Sequence, residues 1–170
     1  GEYYVVKIAS GFYDNPKLGL PSSQGLMLLF SKSTGQTQAV LLDEGRLTDI
    51  RTGAAGAVAA KHLARKSIGQ IGIVGTGIQA RMQLEYSLKA TDCRQVMVWG
   101  RNSERAAEYA SDVKSLGVEV RVARDAEELA RTSNLIVTTT PSREPLLRAE
   151  WIQPGTHITA VGADSPEKQE

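Results

Sequence analysis

Six consecutive residues, Gly75-Thr76-Gly77-Ile78-Gln79-Ala80, have the types and the order needed to hold a diphosphate. They stand directly behind the apolar run Ile71–Val74 and directly ahead of a helix-forming stretch, the setting in which a glycine-rich turn offers helix amides to a dinucleotide. The first glycine permits the tight turn, and the second puts no side chain between backbone and phosphate. The small third residue, Ala80, lets the helix pack closely on the strand. A bare GxGxxA match is weak evidence, because glycine-rich turns close many strands. The flanking strand and helix give this one its weight.

In such a fold an acidic side chain about twenty residues past the glycines usually takes the adenine ribose hydroxyls. Here the corresponding stretch reads Trp99-Gly100-Arg101-Asn102-Ser103, with Arg105 beyond and no carboxylate at the tip. Guanidinium groups match phosphate oxygens, so NADP is favoured over NAD. Arginine also stacks on adenine in an NAD site, and both arginines also read as solvated helix-start residues, although cations near a helix N-terminus are unfavourable. Ligands of open parallel sheets lie beyond the carboxyl ends of the strands, which directs attention to Thr138-Thr139-Thr140-Pro141 and Gly162-Ala163-Asp164. A carboxylate at such a tip can act as general acid or base for an amine or imine, or stabilise an iminium charge. Asp164-Ser165-Pro166-Glu167 also reads as an ordinary helix start capped by Asp164. His62, His157 and the lone Cys93 have no metal-ligand spacing or catalytic partner, so structural roles and no metal are expected.

Positioning these groups takes a regular scaffold, and the 170 residues have the composition of a globular protein, 41% apolar and 23% charged. A net charge of +1 argues against a dedicated nucleic-acid or membrane surface. The absence of a long apolar run and the single cysteine point to a cytoplasmic setting. Residues 3–8 read as a strand, 10–24 as a loop, and the apolar runs 27–30 and 39–42 as a hairpin around Lys32-Ser33-Thr34-Gly35. An alanine-rich helix over 48–64 follows, with Thr48 as N-cap and Ile50, Ala54, Ala57, Val58 and Lys61 at helical spacing.

After Lys66 the rhythm changes to alternating strand and helix. Strands are expected at Ile71–Val74, Gln95–Trp99, 118–122, 135–139 and 157–161. The intervening helices carry Ala80, Leu84 and Leu88 on one face, then Ala106, Ala110 and Val113 behind a Ser103 cap, then a capping box at Asp125-Ala126-Glu127-Glu128. The fold expected is α/β: a Rossmann-type doubly wound parallel sheet over residues 67–170, preceded by part of a smaller β-rich domain with its connecting helix over 1–66. Gly1 is not a start methionine and a doubly wound sheet normally continues past Glu170, so the chain reads as part of a longer protein.

Several segments together resemble the ornithine cyclodeaminase and mu-crystallin family. They are Lys7, the loop from Asn15-Pro16 to Gly19-Leu20-Pro21, Leu47-Thr48-Asp49-Ile50-Arg51-Thr52, Gly75 to Ala80, and Gly162-Ala163-Asp164-Ser165-Pro166-Glu167-Lys168-Gln169-Glu170. Their order and spacing match over nearly the whole chain. The stretch Gly11-Phe12-Tyr13-Asp14-Asn15-Pro16, with Gly19-Leu20-Pro21-Ser22-Ser23, is most similar to members linked to ectoine utilisation or described as cyclodeaminase-like.

The resemblance implies a substrate and dimerisation domain beside a Rossmann domain, and a homodimer when the protein is full length. It implies that Lys7 and Arg51 hold a substrate carboxylate, that Thr52, Gly75, Gly77, Ile78 and Gln79 meet the diphosphate, that Arg101 and Asn102 meet the adenosine ribose or its phosphate, and that Thr138 and Thr139 lie at the nicotinamide. Asp164 matches the family's catalytic aspartate. The implied activity is that of a cyclodeaminase: bound NAD(P) oxidises an amino acid such as ornithine to an imine, the side-chain amine attacks, ammonia leaves, and the returning hydride yields a cyclic amino acid. The arginines after Trp99 resemble the NADP-using branch, which points instead to a reductase of cyclic imino acids such as pyrroline-2-carboxylate. The third alternative is a non-catalytic NADP-dependent binding protein of the crystallin kind. That branch departs from aspartate at this position, so Asp164 argues for an enzyme.

Overall fold

Runs of β-branched, aromatic and aliphatic residues on either side of the Ser-Thr-Gly turn pair as antiparallel strands, because Gly35 supplies the positive φ of +71° that reverses the chain. The computed structural model describes residues 1–12 and 14–170. Tyr13, part of one segment on which the resemblance rests, lies outside the described residues. The chain divides into two compact units, Gly1–Arg51 and Thr52–Glu170. The boundary expected after Lys66 keeps the whole alanine-rich helix with the first part, whereas the compact units part inside it.

The first unit holds β1 (Tyr3–Gly11), a short 3-10 turn at Asn15–Leu18, β2 (Ser23–Ser31) and β3 (Thr37–Leu41), in the order β1-β2-β3. The loop expected over 10–24 is shorter than its composition suggests. Ser10 pairs with Gln24 and Gly11 with Ser23, so the backbone ladder runs on through polar residues before the 3-10 turn at Asn15–Leu18. The helix α1 (Arg46–Leu63) starts two residues before the expected Thr48 cap. Asp43 accepts from the Leu47 amide at 2.7 Å, and Glu44 and Gly45 turn the chain with positive φ, so Thr48 lies inside the helix.

In the second unit α1 continues and β4 (Ile71–Val74), α2 (Ile78–Ser87), β5 (Gln95–Trp99), α3 (Ser103–Asp112), β6 (Glu119–Val122), α4 (Ala126–Thr132), β7 (Leu135–Thr138) and β8 (His157–Ala160) follow. All neighbouring strands are parallel, in the order β6-β5-β4-β7-β8. This is the expected doubly wound sheet, and the strand order reverses between β4 and β7. Ile71 and Ile73 join one apolar layer with Leu84 and Tyr109, while Val74 joins the other with Met97, Leu129 and Ile136. Burial on both faces explains why β4 and β7 carry no polar alternation.

The caps differ in detail from expectation. Asn102, not Ser103, caps α3: its side chain accepts from the Arg105 amide at 2.8 Å and Ser103 is the first helical residue. Asp125 caps α4 as expected, but the return contact of Glu128 goes to the amide of Arg124 rather than to that of Asp125. Residues 164–167 start no helix; the Lys168 amide closes a turn on Ser165 instead. The buried face of α1 is Gly53, Gly56 and Ala60, with Val58 exposed. The two glycines let it lie against α2, where Gln83 donates to the Thr52 carbonyl at 2.9 Å.

Gly72, in the middle of β4, is crowded by α4: a Cβ there would stand 2.6 Å from Leu129 Cδ2 and from Ser133 Oγ. Gly72→Ala is expected to cost about 1–3 kcal/mol through overpacking, read as a lower urea midpoint with an unchanged m-value.

Candidate functional site

The turn after β4 is built around a glycine that no other residue replaces without strain. Gly75 has φ +116°, and a Cβ on it would lie 2.5 Å from Thr139 Oγ1. Its amide donates to Trp99 O at 2.8 Å, tying the turn to the end of β5. From the other side Thr139 gives both its amide, at 2.9 Å, and its hydroxyl, at 3.1 Å, to Val74 O. The turn is therefore held between its two neighbouring strands.

Gly77 is different in kind. It is exposed, its φ of −83° suits any residue, and a Cβ built on it meets nothing within 4 Å. As the N-cap of α2 it has no side chain to offer to the first amides of that helix, so a concentration of N–H donors and the positive end of the helix dipole face open space. The residues present thus fit a diphosphate: a close backbone approach at Gly75, room at Gly77, and α2 beginning at Ile78 and Gln79.

The remaining expected residues of this unit fall around that turn. Gly100 lies against Thr76, with only 2.8 Å between its ideal Cβ and Thr76 Cγ2, so the end of β5 abuts the turn. Arg101, Asn102 and Arg105 follow, all exposed, with the exposed Glu104 in the first turn of α3 between the two arginines. The side-chain oxygen of Asn102 is engaged in capping α3. Thr138 is buried and donates to Glu170 Oε2 at 2.7 Å, while the Thr139 hydroxyl turns back to Val74. Thr52 is bound through its carbonyl to Gln83 of α2, four residues after Gln79.

Asp164 lies beyond β8 at the same end of the sheet. The close approach of Gly162 to Thr140 O links the β8 tip to the β7 tip. β4 and β8 are two strand spacings apart, about 10 Å across the sheet. Lys168, whose side chain is only 12% exposed, donates to Asp164 Oδ1 at 2.6 Å, and the Asp164 side chain is itself 63% exposed. Asp164 is thus ion-paired through one oxygen while its side chain stays largely exposed. Glu170 accepts from the Thr140 amide as well as from Thr138, and the Gln169 amide donates to Ser142 O at 2.8 Å, so the segment carrying Asp164 is fastened to the end of β7.

In the first unit, Lys7 stands in the middle of β1 opposite Met27, and Arg51 lies in α1; both are exposed. Sequence reasoning gave no role to Arg81, Gln83, Lys168 or Glu170. The last two lie in a segment whose resemblance was noted, but nothing in their spacing announces the pairings they make. His157, half-buried and within 3.0 Å of Thr159 Oγ1, is pushed below its ordinary pKa by burial. Cys93 is buried, with its thiol on Gln95 O.

The model of the ornithine cyclodeaminase/mu-crystallin family matches residues 1–170. The chain belongs to that family. Among solved structures, it is similar to an archaeal alanine dehydrogenase dimer with bound NAD, 41% identical with a TM-score of 0.91 over 99% of this chain and 52% of that one. It is also similar to the Δ1-pyrroline-2-carboxylate reductase of Thermococcus litoralis in complex with NADH and L-proline, at 38% identity and TM-score 0.85 over 91% and 48%. A lysine cyclodeaminase that recognises L-lysine, L-ornithine and L-2,4-diaminobutyric acid matches at 32% identity and TM-score 0.89 over 99% and 49%. The chain spans about half, 51%, of the length of curated relatives that it matches at 45% and 42% identity. The solved relatives thus include a dehydrogenase with bound NAD, a reductase in complex with NADH, and a cyclodeaminase.

The two glycines of the turn are expected to respond unequally to an added methyl group. Gly75→Ala should lose about 1–3 kcal/mol of stability, from strained φ and the clash with Thr139. Gly77→Ala should cost less, about 1 kcal/mol or under, because alanine is a poorer N-cap than glycine but meets no steric clash there. Denaturant unfolding of the two variants side by side checks both.

Proposed function

We propose that this chain carries the nicotinamide-nucleotide site and the proton-handling carboxylate of an enzyme that works at the carbon–nitrogen bond of a small amino or imino acid. The observation that carries the reading is the convergence, at the carboxyl ends of β4, β7 and β8, of a diphosphate-ready turn and Asp164. When bound, the nucleotide supplies hydride acceptance or donation, and the rest falls to side chains. Gly75, Gly77 and the first amides of α2, at Ile78 and Gln79, hold the diphosphate with Thr52 beside them; Arg101 and Asn102 take the adenosine end; Thr138 and Thr139 border the nicotinamide.

Asp164 exchanges protons with the substrate nitrogen, which must gain or lose them whichever way the hydride moves. Lys7 and Arg51 bind the substrate carboxylate, a pairing of ammonium and guanidinium that fixes an anion in orientation before reaction. Residues 1–66 serve as part of the substrate and dimerisation domain, and the protein works as a homodimer, as the archaeal alanine dehydrogenase does.

Of the finer activities, we put first an ornithine-cyclodeaminase-like reaction, in which the hydride returns to the same substrate and ammonia leaves. It is supported by similarity to the lysine cyclodeaminase and by the largely exposed carboxylate of Asp164 at the β8 tip. A specific observation favours a second reading: exposed Arg101 directly after β5, with Arg105 beyond it, suits the extra phosphate of NADPH, and hence net reduction of a cyclic imino acid. Incubating the complete protein with ornithine and no added nicotinamide separates the two. Catalytic formation of proline and ammonia supports the first; their absence, with NADPH consumed on pyrroline-2-carboxylate, supports the second.

Asp164→Asn is expected to lower turnover by about two orders of magnitude or more with little change in nucleotide affinity. Turnover equal to that of the parent would remove Asp164 from the reaction.

A further inference from the structure

Arg81 sits in the first turn of α2 and Asp112 at the last position of α3. Each is placed against the preference of its own helix, a cation near the positive end and an anion near the negative end. Arrangements that break a local rule are found where another requirement overrides it. The contacts of the guanidinium show what that requirement is. Nε and Nη2 both donate to Asp112 Oδ2, at 3.1 and 2.5 Å, and the group lies 5.2 Å from the ring centre of Tyr109. Tyr109 is fully buried and fixed through its hydroxyl to Ala80 O at 3.1 Å. The remaining nitrogen, Nη1, reaches two consecutive carbonyl oxygens of the glycine turn, Thr76 O at 2.5 Å and Gly77 O at 3.3 Å.

A trans peptide is planar, with its C=O and the N–H of the next residue pointing in opposite directions. Drawing the Thr76 and Gly77 oxygens toward Arg81 therefore aims the amides of Gly77 and Ile78 the other way, at a turn where a Cβ built on Gly77 would meet no atom within 4 Å. We infer that Arg81, held by Asp112, is a positioning residue for diphosphate recognition: it sets the peptide planes of the turn without touching the ligand. The inference rests on the nucleotide reading given above and adds to it the device that orients the donors. An ammonium does not substitute for the planar fork, because a single point donor cannot reach Asp112 and two carbonyls in fixed directions at once.

The test uses the complete protein and three variants, Arg81→Met, Arg81→Lys and Asp112→Asn. The dissociation constants for NADH and NADPH, kcat at saturating nucleotide, and the hydrogen-exchange rates of the Gly77 and Ile78 amides without ligand are measured for each. Arg81→Met should raise the dissociation constant about tenfold or more, and Asp112→Asn several-fold, with kcat at saturation within about twofold of the parent. Arg81→Lys should not restore affinity. Asp112→Asn changes one exposed side chain and keeps the positive charge, so it remains informative if Arg81→Met folds poorly. Binding by Asp112→Asn that equals or exceeds the parent's would overturn the inference, since a guanidinium released from its carboxylate would then be serving the phosphate directly. If the parent binds neither nucleotide, the nucleotide reading fails, and the exchange rates still decide: altered Gly77 and Ile78 exchange in Asp112→Asn supports the positioning role, and unchanged exchange overturns it.

Discussion

Gly75 is wedged between the ends of two strands. Its amide is spent on Trp99 and its missing side chain makes room for the Thr139 hydroxyl, which with its own amide secures Val74 O. This contact fixes the height at which the chain leaves the sheet and so the point at which α2 begins. Donors at the start of a helix are useful only if their direction is set before a ligand arrives, since ordering them on binding would consume affinity. Rigid placement on the ends of β4, β5 and β7 meets that requirement, and the strand-order reversal between β4 and β7 leaves the crevice in which such donors are accessible.

The same end of the sheet carries the acidic group. Residues 162–170 are drawn back over the β7 tip by Glu170 on Thr138 and Thr140. Lys168 closes the loop by holding one oxygen of Asp164. The side chain of Lys168 is nearly buried, and a near-buried ammonium needs its counter-charge, which here is the proposed reacting carboxylate itself. Structure and chemistry are thereby coupled in one short segment: what stabilises the fold at residues 162–170 also fixes the orientation of Asp164.

Much of this was legible in the residues. The strands Ile71–Val74 and Gln95–Trp99 are read without error because both are apolar runs bounded by glycine or polar turns, and the parallel order follows from the helices between them. Boundaries fail where a backbone group rather than a side chain decides. β1 and β2 extend through Ser10, Gly11, Ser23 and Gln24 because ladder pairing continues regardless of composition. α1 starts early because Asp43, outside the apolar pattern, accepts its amide. The glycine turn and Asp164 are visible as motifs. Arg81 and Glu170 are not, since their roles arise from partners 31 and 32 residues away, at Asp112 and Thr138, and no local spacing encodes such a pairing.

The central claim is that the N–H donors from Gly77 into the first turn of α2 receive a nucleotide diphosphate. Amide NMR shifts of the complete protein, followed as NADH or NADPH is added, test it directly. The largest saturable changes are expected on Gly77, Ile78 and Gln79, at the N-cap and start of α2. Binding that leaves these amides unmoved while perturbing another part of the chain would contradict it.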